Sequence, residues 1–278
     1  MTFETLLVTH PSPFVAHVQL NRPAKRNALD HKMWTEIPLA INALAVDPDT
    51  RVIVLSGNGK SFCSGIDLQD IQHQEMLSQN DDEKLDVARR ARVVGTMIRA
   101  YQKSLTSLDD CPKPVIAAIH GYCLGGGVDI IAACDIRWSS KEAVFSIKEV
   151  DIGLCADVGS LNRLPKICGN SSWVRELAFS ARTFGAQEAL ENGLLSRVFD
   201  SPSNVLEASL KLAVELANKS PVAMQGTKVN LNYSRDHTVK ESLEYTALWN
   251  QSQLLTEDIP KSVMAAMSKA EPPMYSKL

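Results

Sequence analysis

Two glycine-bearing junctions and a run of acids are where this 278-residue chain can do chemistry. The junctions are Ser61-Phe62-Cys63-Ser64-Gly65-Ile66-Asp67-Leu68 and His120-Gly121-Tyr122-Cys123-Leu124-Gly125-Gly126-Gly127-Val128-Asp129, each lying between a strand-like run and a helix start. At such a place the first N–H groups of the helix lack carbonyl partners, the helix dipole favours negative charge, and glycine lets a ligand atom approach closely. Facing one another, the two would make a two-donor hole for an oxyanion that develops during a reaction. Taken singly, each reads more simply as a tight turn.

Asp129, Asp135, Glu149, Asp151 and Asp157 fall within or soon after the second junction. Lone acids are usually solvated or cap helices. Asp129 and Asp157 are less easily dismissed, because they sit in Gly-Gly-Val-Asp-Ile-Ile-Ala-Ala and Gly-Leu-Cys-Ala-Asp-Val-Gly, both mostly apolar. A carboxyl held among apolar groups has a raised pKa and exchanges protons near neutrality. Asp135, just before Ile136-Arg137 at a strand start, reads as structural, and Asp151 is left open.

Other chemistries lose support. Gly59-Lys60-Ser61 lacks the glycine that a phosphate loop needs five positions earlier, where Val54 stands, and Gly57-x-Gly59 meets Phe62 where a dinucleotide fingerprint has its third glycine. No G-x-S-x-G elbow surrounds a serine, and no H-E-x-x-H or carboxylate–histidine cluster has metal-ligand spacing, so neither a metal nor a resident cofactor is expected.

The elements that must carry these residues alternate between strand and helix. Thr5 to Thr9 and Val15 to Leu20 form a hairpin pattern, Met33, Ile37, Ile41 and Leu44 make one helical face behind Asp30, and Val52 to Leu55 is a buried strand. A polar loop through Ser78 to Asp82 leads to a helix with Val94, Ile98, Tyr101, Leu105 and Leu108 at helical spacing, ended by Cys111-Pro112-Lys113-Pro114. Val115 to Ile119, Ile136 to Ser139 and Val144 to Ile147 are further strands, giving repeated strand, strand, helix units. After Ser201-Pro202-Ser203 only helices follow, over 205–218, 222–233, 239–255 and 259–268. The expected division is a core over 1–202 and a helical region over 203–278, with apolar faces that pack on the core or on another subunit.

Composition excludes several partners. The chain is 45% hydrophobic and 22% charged, with 29 basic against 32 acidic residues and a net charge of −3, so no overall basic field attracts nucleic acid. Val115 to Cys134 is long enough to span a bilayer, but Gly125-Gly126-Gly127 would break its helix and Asp129 would sit in hydrocarbon at a cost of roughly 2.5 kcal/mol or more. A buried strand, a glycine turn and a buried helix are expected there instead. The six cysteines show no C-x-x-C pair and read as reduced thiols, and the start Met1-Thr2-Phe3-Glu4 has no signal-peptide character. The terminal Ser276-Lys277-Leu278 matches a peroxisomal address read by an import receptor, so delivery to the peroxisome is expected.

Over nearly its whole length the sequence resembles the enoyl-CoA hydratase/isomerase, or crotonase, family. Asn21-Arg22-Pro23-x-x-x-Asn27-Ala28-Leu29 is similar to that family's N-terminal CoA loop, and the segments at Ser64-Gly65-Ile66-Asp67-Leu68 and Gly125-Gly126-Gly127-Val128-Asp129 to its oxyanion junctions. Lys148 to Gly159, Ser220 to Ala223 and Lys228 to His237 resemble its dienoyl-CoA isomerase branch, which turns 3,5-dienoyl-CoA into 2,4-dienoyl-CoA. Hydratases of the family would carry glutamate at both Asp129 and Glu149 and a small glycine at Asp157.

The resemblance implies an α/β spiral of repeated ββα units with a helical C-terminal region that builds trimers or hexamers. It implies a thioester oxygen between the N–H groups of Ile66 and Gly126, proton removal from C2 by Glu149, protonation of C6 by Asp157, and Asp129 either orienting a neighbouring acid or holding the dienolate. For the CoA portion of an acyl-CoA substrate it points to Lys25, Arg26, Ala28, Ser64 and Ile66, with Lys228 as a further cation. The alternatives within the family are an enoyl-CoA hydratase and an isomerase of single double bonds. A non-catalytic RNA-binding relative is remote, because Arg89-Arg90-x-Arg92, the densest basic cluster, has Asp81, Asp82, Glu83 and Asp86 close by.

Overall fold

The structure, a computed structural model, describes residues 2–70 and 86–278; the loop expected at 78–82 lies outside them. A hairpin of β1 (Leu6–Ser12) and β2 (Phe14–Leu20) opens the chain. Helix α1 (His31–Val46) follows, capped by the Asp30 carboxylate accepting from Met33 N at 2.8 Å. Then come β3 (Thr50–Gly57), the long helix α2 (Val87–Asp110), β4 (Val115–Ile119), β5 (Tyr122–Leu124) and the short buried helix α3 (Gly126–Ala132). The stretch Val115 to Cys134 is thus strand, strand, glycine turn and helix. No helix among the described residues is long and apolar enough to cross a membrane.

Strands β6 (Ile136–Ser140) and β7 (Val144–Ser146) precede helices α4 (Ser160–Ile167) and α5 (Ser171–Ser180). Then follow β8 (Phe184–Gly185), α6 (Ala186–Glu191) and β9 (Arg197–Phe199). Among the described residues the strands form two sheets, ordered β1-β2-β3-β4-β6-β9 and β5-β7-β8. Successive strands β4 and β5, then β6 and β7, go one to each sheet, so the chain climbs as a spiral of strand, strand, helix turns. Pairing is parallel from β2 to β9 in the larger sheet, which demands crossovers between its strands and coverage of both faces.

Both coverings exist. Along β3, Ile53 and Leu55 face the main core with α1 and α2, while Val52 and Val54 face the other way. On that second face lies α7 (Pro202–Ala217), whose Val205, Ala213 and Ala217 bury against Val52, Val54, Ile116 and Trp138. The first helix after residue 202 therefore completes the core layer. The remaining helices α8 (Pro221–Ser234), α9 (Val239–Gln253) and α10 (Asp258–Ser268) leave Leu231, Leu243, Val263 and Met264 exposed.

Candidate active site

The two junctions lie side by side. Phe62 N donates to His120 O at 2.8 Å, Cys63 N to Tyr122 O at 2.9 Å, and Leu124 N to Cys63 O at 2.9 Å, so the chain after β3 runs parallel to β5. Close approach explains the glycines: Gly65 has φ +95°, and a Cβ there would stand 3.1 Å from Leu124 O. Most neighbouring N–H groups are engaged, Ser64 N to Arg26 O, Leu29 N to Gly65 O, Asp67 N to Leu29 O and Gly125 N to Ser146 O. Among the described residues the N–H groups of Ile66 and Gly126 meet no main-chain acceptor, Gly126 being the first residue of α3. Both residues line one cavity of about 130 Å³.

Glu149 and Asp157 line the same cavity. Glu149 starts a short 3-10 turn over Glu149–Ile152, and its Oε1 would lie 3.2 Å from a Cβ at Gly125, against the second junction. Its Oε2 is buried with no hydrogen-bond partner among the described residues, and burial, with the Asp129 charge adding to it, pushes its pKa up to about 7. Burial also raises the Asp157 carboxyl above its ordinary range. The rest of the wall is mostly apolar: Trp34 of α1 and Tyr101 of α2 stack at 4.6 Å, with Met97, Leu154 and Val158 around them.

Asp129 is not part of that lining. It is 0% exposed, one turn into α3, with Oδ1 accepting the N–H of Ser160 and Oδ2 without a partner among the described residues. Burial raises its pKa to about 6, and its charge is felt at Glu149. Asp151 is a surface residue paired with Lys148, and Asp135 accepts from Val115 N at 2.7 Å. Trp34, Met97, Leu154 and Ser160 were missed as site residues. Only Ser160, opening a helix after Gly159, carried a sequence signal.

The N-terminal loop is bound to the first junction. Arg26 and Asn27 are left-handed at φ +50° and +54°, and the buried Asn27 side chain donates to Asn58 O at 2.9 Å and Ser61 O at 2.8 Å. Arg22 pairs with Asp30 at 3.0 Å and Asp67 at 2.9 Å. Lys25 and Arg26 are exposed, Lys25 donating to Gln69 at 2.5 Å and Arg26 standing 5.7 Å from the Tyr122 ring centre. Ser64 Oγ lies 3.4 Å from Lys25 O. The Ala28 N–H donates to Lys25 O, and its carbonyl accepts from the Arg22 guanidinium, so its backbone is engaged within the loop.

Lys228 corrects the sequence expectation. Only 5% exposed, its ammonium donates to Leu108 O at 3.0 Å, Lys113 O at 3.1 Å and Asp135 Oδ2 at 2.7 Å, which uses all three protons inside the fold. It ties α8 to the end of α2 and cannot meet a CoA phosphate. Lys228→Met is expected to cost about 3 kcal/mol of stability, at the low end for a broken buried pair because the Asp135 side chain keeps 25% exposure. Thermal unfolding checks the loss; an unchanged midpoint, or a large rise in KM for acyl-CoA, would refute it.

At the other end Ser276, Lys277 and Leu278 are exposed. Ser276 Oγ donates to Glu257 at 2.7 Å, and Lys277 pairs with Asp49.

Residues 12–277 match the family model described as enoyl-CoA hydratase/isomerase. The chain belongs to the enoyl-CoA hydratase/isomerase family. Within it, the chain is 53% identical over 269 residues to the mouse (Mus musculus) mitochondrial Delta(3,5)-Delta(2,4)-dienoyl-CoA isomerase, covering 97% of this chain and 81% of that one. It is 43% identical over 264 residues to the peroxisomal protein of that name from Arabidopsis thaliana, covering 95% and 93%. The crystal structure of an enoyl-CoA hydratase from Bacillus anthracis superposes with a TM-score of 0.86 at 26% identity, over 98% of this chain and 99% of that one. The enoyl-CoA hydratase/isomerase fold thus accounts for the two-sheet spiral.

Proposed function

We propose that this enzyme isomerises 3,5-dienoyl-CoA to 2,4-dienoyl-CoA. The observation that carries the reading is one apolar cavity holding two carboxyls, Glu149 and Asp157, beside the unengaged N–H groups of Ile66 and Gly126. The relatives named Delta(3,5)-Delta(2,4)-dienoyl-CoA isomerase support it.

The thioester oxygen sits between the two N–H groups, and each donor lowers the barrier by about 2.7–4 kcal/mol as negative charge grows on that oxygen. Glu149, ionised, takes the proton from C2. The electron pair spreads through the diene to C6, where neutral Asp157 delivers a proton. The step needs the two acids in opposite protonation states, and burial raises both carboxyls above their ordinary range, which keeps a proton within the pair near neutral pH. Asp129 acts through Glu149: its negative charge disfavours ionisation there and so makes Glu149 a stronger base. No resident cofactor enters, and CoA arrives as part of the substrate. Lys25, Arg26, Ala28 and Ser64, on the loop and junction next to Ile66, are the residues assigned to its CoA portion by resemblance to the family.

The deciding experiment follows the conjugated 2,4-dienoyl chromophore in the ultraviolet with a 3,5-dienoyl-CoA, with hydration of a 2-enoyl-CoA in parallel. Dominant isomerisation supports the reading, and dominant hydration sinks it. The exposed Leu231, Leu243, Leu254, Val263 and Met264 support a homo-oligomer, a trimer or hexamer built through the C-terminal helices, for which a monomeric mass in solution would be fatal. The exposed Ser276-Lys277-Leu278 supports delivery to the peroxisome by an import receptor, which a fluorescent fusion left outside that organelle would contradict.

A further inference from the structure

Asp157 borders two cavities. One is the apolar cavity shared with Glu149. The other, of about 420 Å³, is polar and lies between α2, α4 and the end of α8, where Gln102, Thr106, Asp109, Asn162 and Arg163 line it. Among the described residues only Asp157 and Val158 belong to both, and of these only Asp157 carries a titratable proton.

The second cavity is not built for an anion. Arg163 pairs with Asp109 at 3.3 Å and donates to Thr106 at 3.0 Å, Arg235 pairs with Asp109 at 3.0 Å, and Lys166 pairs with Asp236, so its cations are matched by acids. What remains are hydroxyl, amide and carboxyl groups, and a polar space far larger than the roughly 15 Å³ that one water needs. Such a lining offers donors and acceptors for a chain of waters.

This bears on a step that the reading under Proposed function requires, and the inference rests on that reading. After C2 loses a proton to Glu149 and C6 gains one from Asp157, Glu149 is protonated and Asp157 is ionised, the reverse of the starting state. Either the Glu149 proton crosses the acyl cavity to Asp157, or Asp157 takes a new one from elsewhere. The acyl cavity, of about 130 Å³ and walled by Trp34, Tyr101 and Met97, is where the acyl chain would lie until product leaves.

We propose that the second cavity is a proton port through which Asp157 is recharged from bulk water. A water in the port gives its proton to the Asp157 carboxylate and is replenished from solvent. Glu149 gives its proton back to solvent separately from Asp157, so each cycle balances. Arg163, held by Asp109 and Thr106, fixes the wall of the port and acts as a positioning residue.

The test tracks hydrogen. With unlabelled 3,5-dienoyl-CoA in D2O, the native enzyme is expected to place one deuterium at C6 of most product molecules, and C2-deuterated substrate in H2O is expected to yield product without label at C6. Filling the port by Asn162→Phe, or by Thr106→Leu should the first variant unfold, is expected to lower kcat about tenfold with KM held within about twofold. The residual product then carries at C6 the hydrogen that began at C2. Transfer of the C2 hydrogen to C6 in the native enzyme overturns the proposal, as does a folded port variant with unchanged kcat and labelling. Failure of the underlying reading is separate: Asp157→Asn would then stay active.

Discussion

Asp157→Asn is expected to lower conversion of 3,5-dienoyl-CoA by about 10²–10⁴-fold, the usual contribution of a positioned acid, with little change in KM. Asparagine keeps the size and hydrogen-bonding shape of the side chain but has no proton to give. The loop survives the change, because Gln102 Nε2 donates at 2.7 Å to the Asp157 backbone carbonyl and not to its carboxyl. With C6 protonation blocked, the earlier step persists. Hydrogen at C2 still exchanges with D2O, because Glu149 and the two N–H groups are intact. Conversion within about threefold of the native rate would remove Asp157 from the mechanism. Loss of C2 exchange together with conversion would point instead to damage across the cavity.

Glu149→Gln is expected to abolish both processes, conversion and C2 exchange each falling by about 10²–10⁴-fold. Glu149 stands against Gly125 at the second junction, and the next acid behind it, Asp129, is outside the cavity lining with one oxygen held by the Ser160 N–H. No carboxylate can replace it beside C2. The pH profile gives a second readout. A base must be ionised, and burial with the Asp129 charge raises Glu149 to about 7, so kcat/KM of the native enzyme falls about tenfold per unit as pH drops below that value. At higher pH it falls again as the pair of carboxyls, both raised by burial, loses the proton that the reaction must deliver, and the two limbs belong to the pair and not to either residue. A profile flat between about pH 5 and about pH 9 would be incompatible with this pair of acids.

Contrasting the two variants separates the roles more firmly than either rate alone. One retains exchange without conversion; the other has neither. Their double variant should be scarcely worse than Glu149→Gln alone, because two groups serving one proton path do not contribute additively.

Local signals in the chain carried a good deal of this. Alternating strand and helix patterns, the helix face behind Asp30, and carboxyls embedded in apolar runs at Asp129 and Asp157 all follow from residues near one another in sequence, where periodicity reports burial directly. Motif resemblance pointed to the family that the comparisons bear out. Three matters were settled only by the tertiary structure. Parallel pairing of β3 with β4, and of β5 with the chain after β3, brings Gly65 beside Gly125, two residues sixty positions apart whose approach no local pattern encodes. Of the acids after the second junction, the 3-10 turn and the loop after it put Glu149 and Asp157 on the cavity, while the buried helix α3 holds Asp129 behind it. Lys228 stands in sequence as a further candidate cation for the CoA portion. It is internal because the end of α2, the start of β4 and Asp135 close over its ammonium, and the direction in which a long side chain leaves its helix is decided by what packs there.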